Sequence, residues 1–214
     1  MMLYKYMPAE YAMNSIQGNN FKLTTVAEAN DPYEFKAVKN LEGGITDLIC
    51  HPYFSDNYLI ACFSRSFESP VMWSHYAENN TGVVLGYECL NKKKLIKVKY
   101  VKKLAKYKNI DTDSMITHLA TTKYSEWSYE KEIRMIFSKK SSSVFTKNGN
   151  HYFLNLTNNN DFKLKKIIFG INFKDNMYCD EITKISPCIE IFKAEKSNIN
   201  FKLIAKKFNG LKIN

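Results

Sequence analysis

The sequence predicts a single α+β domain over residues 1–214, with a mixed or mainly antiparallel sheet of about eight strands flanked by short helices. Three observations lead there. Short segments with a two-residue apolar period recur along the chain, as half-buried strands require. Between them lie helical segments opened by proline or acidic residues. The length of 214 residues and an apolar content of 45% suit one packed core.

The elements follow in order. "LYKY" (3–6) reads as a strand, with Tyr4 and Tyr6 on one face and Lys5 on the other. Pro8 suits the first turn of a helix running to about Ile16. "NFKLTTV" (20–26) alternates as a half-buried strand does. "NDPYE" (30–34) must break structure, because proline pushes Asp31 out of the helical region. "NYLIACFS" (57–64) is continuously apolar and reads as a central strand. Pro70 opens a helix through Trp73 and Tyr76, and "GVVLGYE" (82–88) returns as a strand. "LIKVKYV" (95–101) predicts a strand with one wet, lysine-bearing face, and "DTDSMITHLATTKYSEW" opens with acidic caps and reads as a helix. Five more strands are predicted at 130–137, 151–156, 164–173, 188–195 and 201–208, with a helix near 174–184.

Composition excludes several classes. No apolar run approaches the roughly 20 residues of a membrane helix. No basic-then-apolar leader opens the chain, so a cytoplasmic protein with no membrane partner is expected. The five cysteines are odd in number and never form C-x-x-C, which argues against a disulfide framework or a zinc site. P-loop, G-x-G-x-x-G and H-E-x-x-H motifs are all missing. The net charge of +10 is uneven: residues 1–90 carry −5 and residues 91–214 carry +15. The lysine-rich segment 92–108 attracts phosphate-rich partners, nucleic acid among them. It reads equally as a solvated lysine face. Only two arginines occur, Arg65 and Arg134, which marks both for attention.

Three places carry candidate chemistry. In "WSYEKEIRMI" (127–136), a strand would project Glu130, Glu132 and Arg134 from one face. A helix would make Glu130 and Arg134 a surface pair instead. In "CFSRSFESPVMWSHYAENNTG" (62–82), Ser64 and Arg65 end a buried strand, where ligands often bind. Trp73, His75 and Tyr76 follow on one helix, with Trp73 and Tyr76 as neighbours on one face. Both aromatics suit a core as well as a ligand platform. The third place is Lys5 and Tyr6 at the start of the chain. Separately, Asp31 and Glu34-x-Lys36 suggest a magnesium-dependent nuclease. A non-catalytic module that binds nucleic acid or a protein partner is the further alternative.

The ordered series LYKY, NDPYE, CFS, MWSHYA…GVVLGY and W-x-YE-x-E-x-R, over residues 3–136, resembles a large bacterial family of uncharacterised domains. It more distantly resembles ADP-ribosyltransferase folds, in which an N-terminal strand carries an aromatic or basic residue, a central strand a serine or tyrosine, and a late strand a glutamate, often as E-x-E. That resemblance maps the first element onto Lys5 and Tyr6, the second onto Ser64, and the third onto Glu130-x-Glu132. It implies NAD as substrate, with no metal. Glu132 would stabilise the oxocarbenium-like cation left when nicotinamide departs, and Glu130 would orient the acceptor. Tyr6 and Trp73 would stack on NAD, and Lys5 or Arg65 would meet its pyrophosphate. Here lysine stands where the family has histidine or arginine, and no Ser-Thr-Ser follows the middle strand. The uncharacterised family suggests a role in toxin–antitoxin or anti-phage defence.

Overall fold

The computed structural model describes residues 1–35, 52–104, 112–174, 181–182 and 189–208. It is a mixed α+β fold with a main eight-stranded, mostly antiparallel sheet and a few short helices. The elements are β1 (Met2–Met7), α1 (Ala9–Gln17), β2 (Asn20–Leu23), β3 (Tyr58–Ser64), α2 (Pro70–Tyr76) and β4 (Val83–Cys89). They continue with β5 (Ile96–Lys97), β6 (Lys99–Val101), α3 (Thr112–Thr121), β7 (Thr122–Tyr124) and β8 (Glu132–Ser138). The last are β9 (Phe145–Asn148), β10 (His151–Asn155), β11 (Phe162–Phe169), β12 (Glu190–Lys196) and β13 (Leu203–Lys207). The main sheet runs β13-β12-β11-β4-β1-β3-β8-β5, and a smaller sheet runs β2-β10-β9. The chain divides into two compact units.

The first unit comprises Met1–Phe21, Phe63–Lys92 and Asn155–Asn214. Here β1 and β11 both pair antiparallel with β4, β12 joins β11 in parallel, and β13 closes a hairpin on β12. Period-two alternation on β1 is realised. Tyr4 and Tyr6 pack on the apolar cluster of Trp73, Val84, Ile168 and Leu203. Lys5 lies instead over the rings of Phe21 and Phe63, at 5.6 and 5.5 Å. Those two rings join Tyr87 and Phe162 in an edge-to-face aromatic cluster. Helix α2 begins where Ser69 Oγ accepts from the Met72 amide and Pro70 fixes the first turn. Gly170 is required by a close approach: a Cβ there would run into the Asn80 carbonyl. That contact ends β11 at Phe169, short of the predicted Phe173, because the Gly170 amide turns to the Gly82 carbonyl.

The second unit comprises Lys22–Cys62 and Lys93–Leu154. Its core gathers Val26, Phe35, Phe54, Ile60, Ile116 and Ala120. The predicted strand 95–101 is two strands. β5 pairs antiparallel with β8 through Ile96 and Arg134, whereas β6 pairs parallel with β7. The break falls at Val98, whose side chain is buried and whose amide bonds to the Glu132 carbonyl. The helix expected to continue to Trp127 stops at Thr121, where the next residues leave as β7. β9 and β10 form a hairpin whose turn uses Gly149 at φ 57°, a backbone region glycine enters without cost. The helix predicted near 174–184 falls mainly outside the described residues.

Candidate functional site: a buried carboxylate and cation cluster

The second unit buries five ionisable side chains together: Glu34, Lys123, Glu130, Glu132 and Arg134. β8 supplies the centre. Residues two apart on a strand share a face, so Arg134 reaches back to Glu132. Its Nε and Nη2 donate to Glu132 Oε1 and Oε2, each at 2.8 Å. This is the two-pronged pairing that guanidinium geometry favours over ammonium. Nη1 donates to Glu34 Oε1 and to the Ala120 carbonyl, both at 2.7 Å. Lys123 Nζ donates to Glu130 Oε2 at 2.7 Å and lies 3.4 Å from Glu34 and 3.7 Å from Glu132. The ammonium also sits 4.8 Å from the Trp127 ring centre. Three carboxylates therefore meet two cations.

Glu130 reaches the cluster differently from the strand expectation. It ends a short 3-10 helix, Ser125–Glu130, and β8 begins at Glu132. Lys131 between them turns in the left-handed region at φ 47°, so both carboxylates end up buried while Lys131 is exposed. Phe35, directly after Glu34, is also left-handed at φ 59°. Non-glycine residues rarely adopt this conformation, and it concentrates where surrounding structure enforces it for function. Both strained positions adjoin carboxylates of the cluster.

Electrostatics favour the charged forms of Glu132, Lys123 and Arg134. Burial alone would raise the Glu132 carboxyl, but the charge and hydrogen bonds of Arg134, then Lys123, hold it below its ordinary value. The Cys62 thiol adds a hydrogen bond to the same carboxylate. Burial alone would lower Lys123, but Glu132, Glu34 and Glu130 together hold it above its ordinary value. Tyr100 accepts the Glu132 amide at 2.8 Å, and burial pushes its phenol up to about 12, so it stays neutral.

The depressed Glu132 value carries a pH prediction. A carboxylate with a lowered folded-state pKa stabilises the protein above its unfolded value, near 4.5, and loses that contribution as pH falls through the folded value. The gap in urea midpoint between wild type and Glu132→Gln is thus expected to be constant near neutrality and to shrink below about pH 4.5. A gap unchanged at acid pH would contradict the ionised pair.

The other candidate residues lie in the first unit. The Tyr6 hydroxyl donates to the Ser66 carbonyl at 2.9 Å, and its ring meets Trp73 edge-on at 5.5 Å. Trp73 is fully buried, and its indole N–H donates to the Phe67 carbonyl at 2.6 Å. These contacts are those of a core. Ser64 is buried and accepts the Ser66 amide, whereas Arg65 and His75 are exposed and Tyr76 is half-buried. The structure brings Glu130, Glu132 and Arg134 together within the second unit, and Tyr6 and Trp73 together within the first.

Asp31 is buried. Its Oδ1 accepts the Tyr33 amide at 2.9 Å, while Oδ2 is buried with no partner among the described residues. Glu34 is engaged with Arg134 and Lys123, and Lys36 lies outside the described residues. Among the described residues, no group of three or more His, Cys, Asp or Glu side chains is placed to hold a metal ion. The lysines at 92–94, 97, 99, 102 and 103 are exposed, and those at 106 and 108 lie outside the described residues. Among the described residues, no helix is long and apolar enough to cross a membrane.

Sequence reasoning missed Lys123. In a chain so rich in lysine nothing flags one of them as buried, except its place two residues past the end of α3 and four residues before Trp127. Comparison with curated proteins and with solved structures finds no match. Residues 72–135 match the model of a family described as "Protein of unknown function (DUF2971)". The matched stretch holds Trp73, His75, Lys123, Glu130, Glu132 and Arg134, so the portion bearing most of the buried charge cluster is similar to a family of uncharacterised domains.

Proposed function

We propose that the chain is an NAD-consuming enzyme, an ADP-ribosyltransferase or NAD glycohydrolase, whose reacting carboxylates are Glu132 and Glu130. One observation carries the reading: among the described residues, three buried carboxylates, Glu34, Glu130 and Glu132, converge with Arg134 and Lys123. Such a cluster concentrates carboxylate oxygens in surroundings of low dielectric, where they act strongly on a developing cation. The nicotinamide ring of NAD is cationic, and its departure leaves an oxocarbenium-like sugar. Each carboxylate oxygen has two lone-pair directions, so the Arg134 fork still leaves Glu132 able to accept from a ribose hydroxyl. The lysines of 92–103 then attract a nucleic-acid acceptor. A defence role is part of the same proposal.

The test is incubation with NAD, with mass spectrometry for free nicotinamide and for ADP-ribosylated products. Glu132→Gln and Glu130→Gln keep the shape and remove the charge. Each is expected to lower nicotinamide release by about 100-fold or more. No release by the wild-type protein would overturn the reading. A second reading is favoured by the closure of the cluster, every member being at most 8% exposed at its side chain. In it, the cluster is the internal brace of a non-catalytic binding module. Salt-sensitive nucleic-acid binding that survives Glu132→Gln, with no turnover, would select it.

A further inference from the structure

The connection between β12 and β13, residues 197–202, holds two large apolar side chains in solvent. Ile199 is 89% exposed and Phe201 is fully exposed. Looseness does not explain this, because the turn is tied down from within. The Ser197 amide donates to the Lys202 carbonyl at 3.0 Å, and Ser197 Oγ accepts the amides of Ile199 and Asn200 at 3.2 and 3.3 Å. Its exit is anchored as well. The Leu203 amide donates to the Glu68 carbonyl at 2.8 Å, the Lys202 ammonium pairs with the Glu68 carboxylate at 3.0 Å, and the Leu203 side chain is buried. Single exposed apolar residues are ordinary, but two on one rigid projecting turn mark a contact surface.

The surroundings of the turn are cationic. Lys196 precedes it, and Lys206 and Lys207 follow on β13, all three exposed, with Lys206 lying 3.4 Å from the Glu195 carboxylate. Ile204, beside them, is 40% exposed. The pattern of Phe and Ile at the tip with lysine behind it, and no Trp, Tyr or Arg, selects among partners. Protein–protein hot spots are built on Trp, Tyr and Arg. Single-stranded nucleic acid rewards stacking rings, which Phe201 supplies but Ile199 does not. Hydrocarbon accepts Ile and Phe alike, and lysine stems reach from apolar surface to charged headgroups without needing a forked geometry.

We propose that the 197–202 turn is a membrane-surface contact. Ile199 and Phe201 enter the headgroup–acyl boundary of an anionic bilayer, while Lys196 and Lys207 reach the lipid phosphates and Lys206 stays beside Glu195. The contact is peripheral and two side chains deep, which is why no apolar run in the sequence announces it. It is independent of the NAD-consuming reading, since it uses none of the same residues.

The experiment is co-sedimentation of the full chain with two kinds of vesicle, phosphatidylcholine alone and phosphatidylcholine with about 30% phosphatidylglycerol. Binding to the anionic vesicles that weakens with salt is expected. The double variant Ile199→Ser with Phe201→Ser should lower the partition coefficient about tenfold or more, with an unchanged melting temperature because neither side chain is packed. Phe201→Trp should give a blue-shifted emission component on anionic vesicles when the Trp73 and Trp127 background is subtracted. The proposal fails if the wild-type protein stays in the supernatant, if the serine variant sediments equally, or if the added indole of Phe201→Trp shows no change in emission. It also fails if the serine variant loses self-association or retention on oligothymidylate while vesicle binding is unaltered.

Discussion

Arg134→Leu is expected to destabilise the protein by about 3–5 kcal/mol, the usual cost of removing one partner from a buried ion pair. Leucine is apolar and of reasonable size, so packing is not the issue. The change strands both oxygens of Glu132, one of Glu34 and the Ala120 carbonyl at a position 2% exposed. Each is a buried acceptor that loses its donor. At this chain length 1 kcal/mol moves the melting temperature by roughly 2–4 °C, so a fall of about 10 °C is expected. Arg134→Lys should recover only part of it, because an ammonium with three N–H donors cannot serve three carboxylate oxygens and a carbonyl at once. The double variant Glu132→Leu with Arg134→Leu should cost less than the two single changes added together, since it removes a charge with its partner. Thermal and urea unfolding measure all three. An Arg134→Leu protein as stable as wild type would show that the cluster is not closed as described.

Trp73→Ala is expected to cost a similar amount, about 3–5 kcal/mol, by a different route. Trp73 is fully buried and lies among Ala77, Val84, Ile168, Ala194 and Leu203, with Tyr6 against its edge. Alanine would leave a cavity that strands on several sides cannot collapse into. Trp73→Phe separates the parts of the effect. It keeps most of the volume and loses the indole donor to Phe67, for an expected cost of about 1–3 kcal/mol. Urea midpoints of the two variants check this. Retention of wild-type stability in Trp73→Ala would mean that the indole is not a core element and would restore it as a ligand platform.

The strands were readable because their physics is local. Alternation on β1, the apolar run of β3 and the proline at the start of α2 each need only their neighbours in sequence, and all three appear within a residue or so of expectation. The departures come from tertiary partners. Strand 95–101 breaks at Val98 because its partner changes there, from β8 before it to β7 after it, and β11 ends early because Asn80 and Gly82 occupy the way past Gly170. At the site, the pairing of Glu132 with Arg134 follows from strand period alone. The participation of Glu34 and Lys123 does not, because no spacing rule links residues so far apart. The left-handed turn at Lys131 was equally hidden, since lysine carries no signature of positive φ.

The bond between Glu34 and Arg134 closes a separation of 100 residues. At synthesis rates of about 5–20 residues per second, the ribosome makes Glu34 some 5–20 s before its guanidinium partner exists. Through that interval the nascent chain carries an acid destined for the interior in water, and the second unit has no way to seal its interior until β8 emerges. Maturation of this unit is therefore timed by translation of its last third, and a pause before Arg134 would lengthen the life of an open, charge-exposed intermediate.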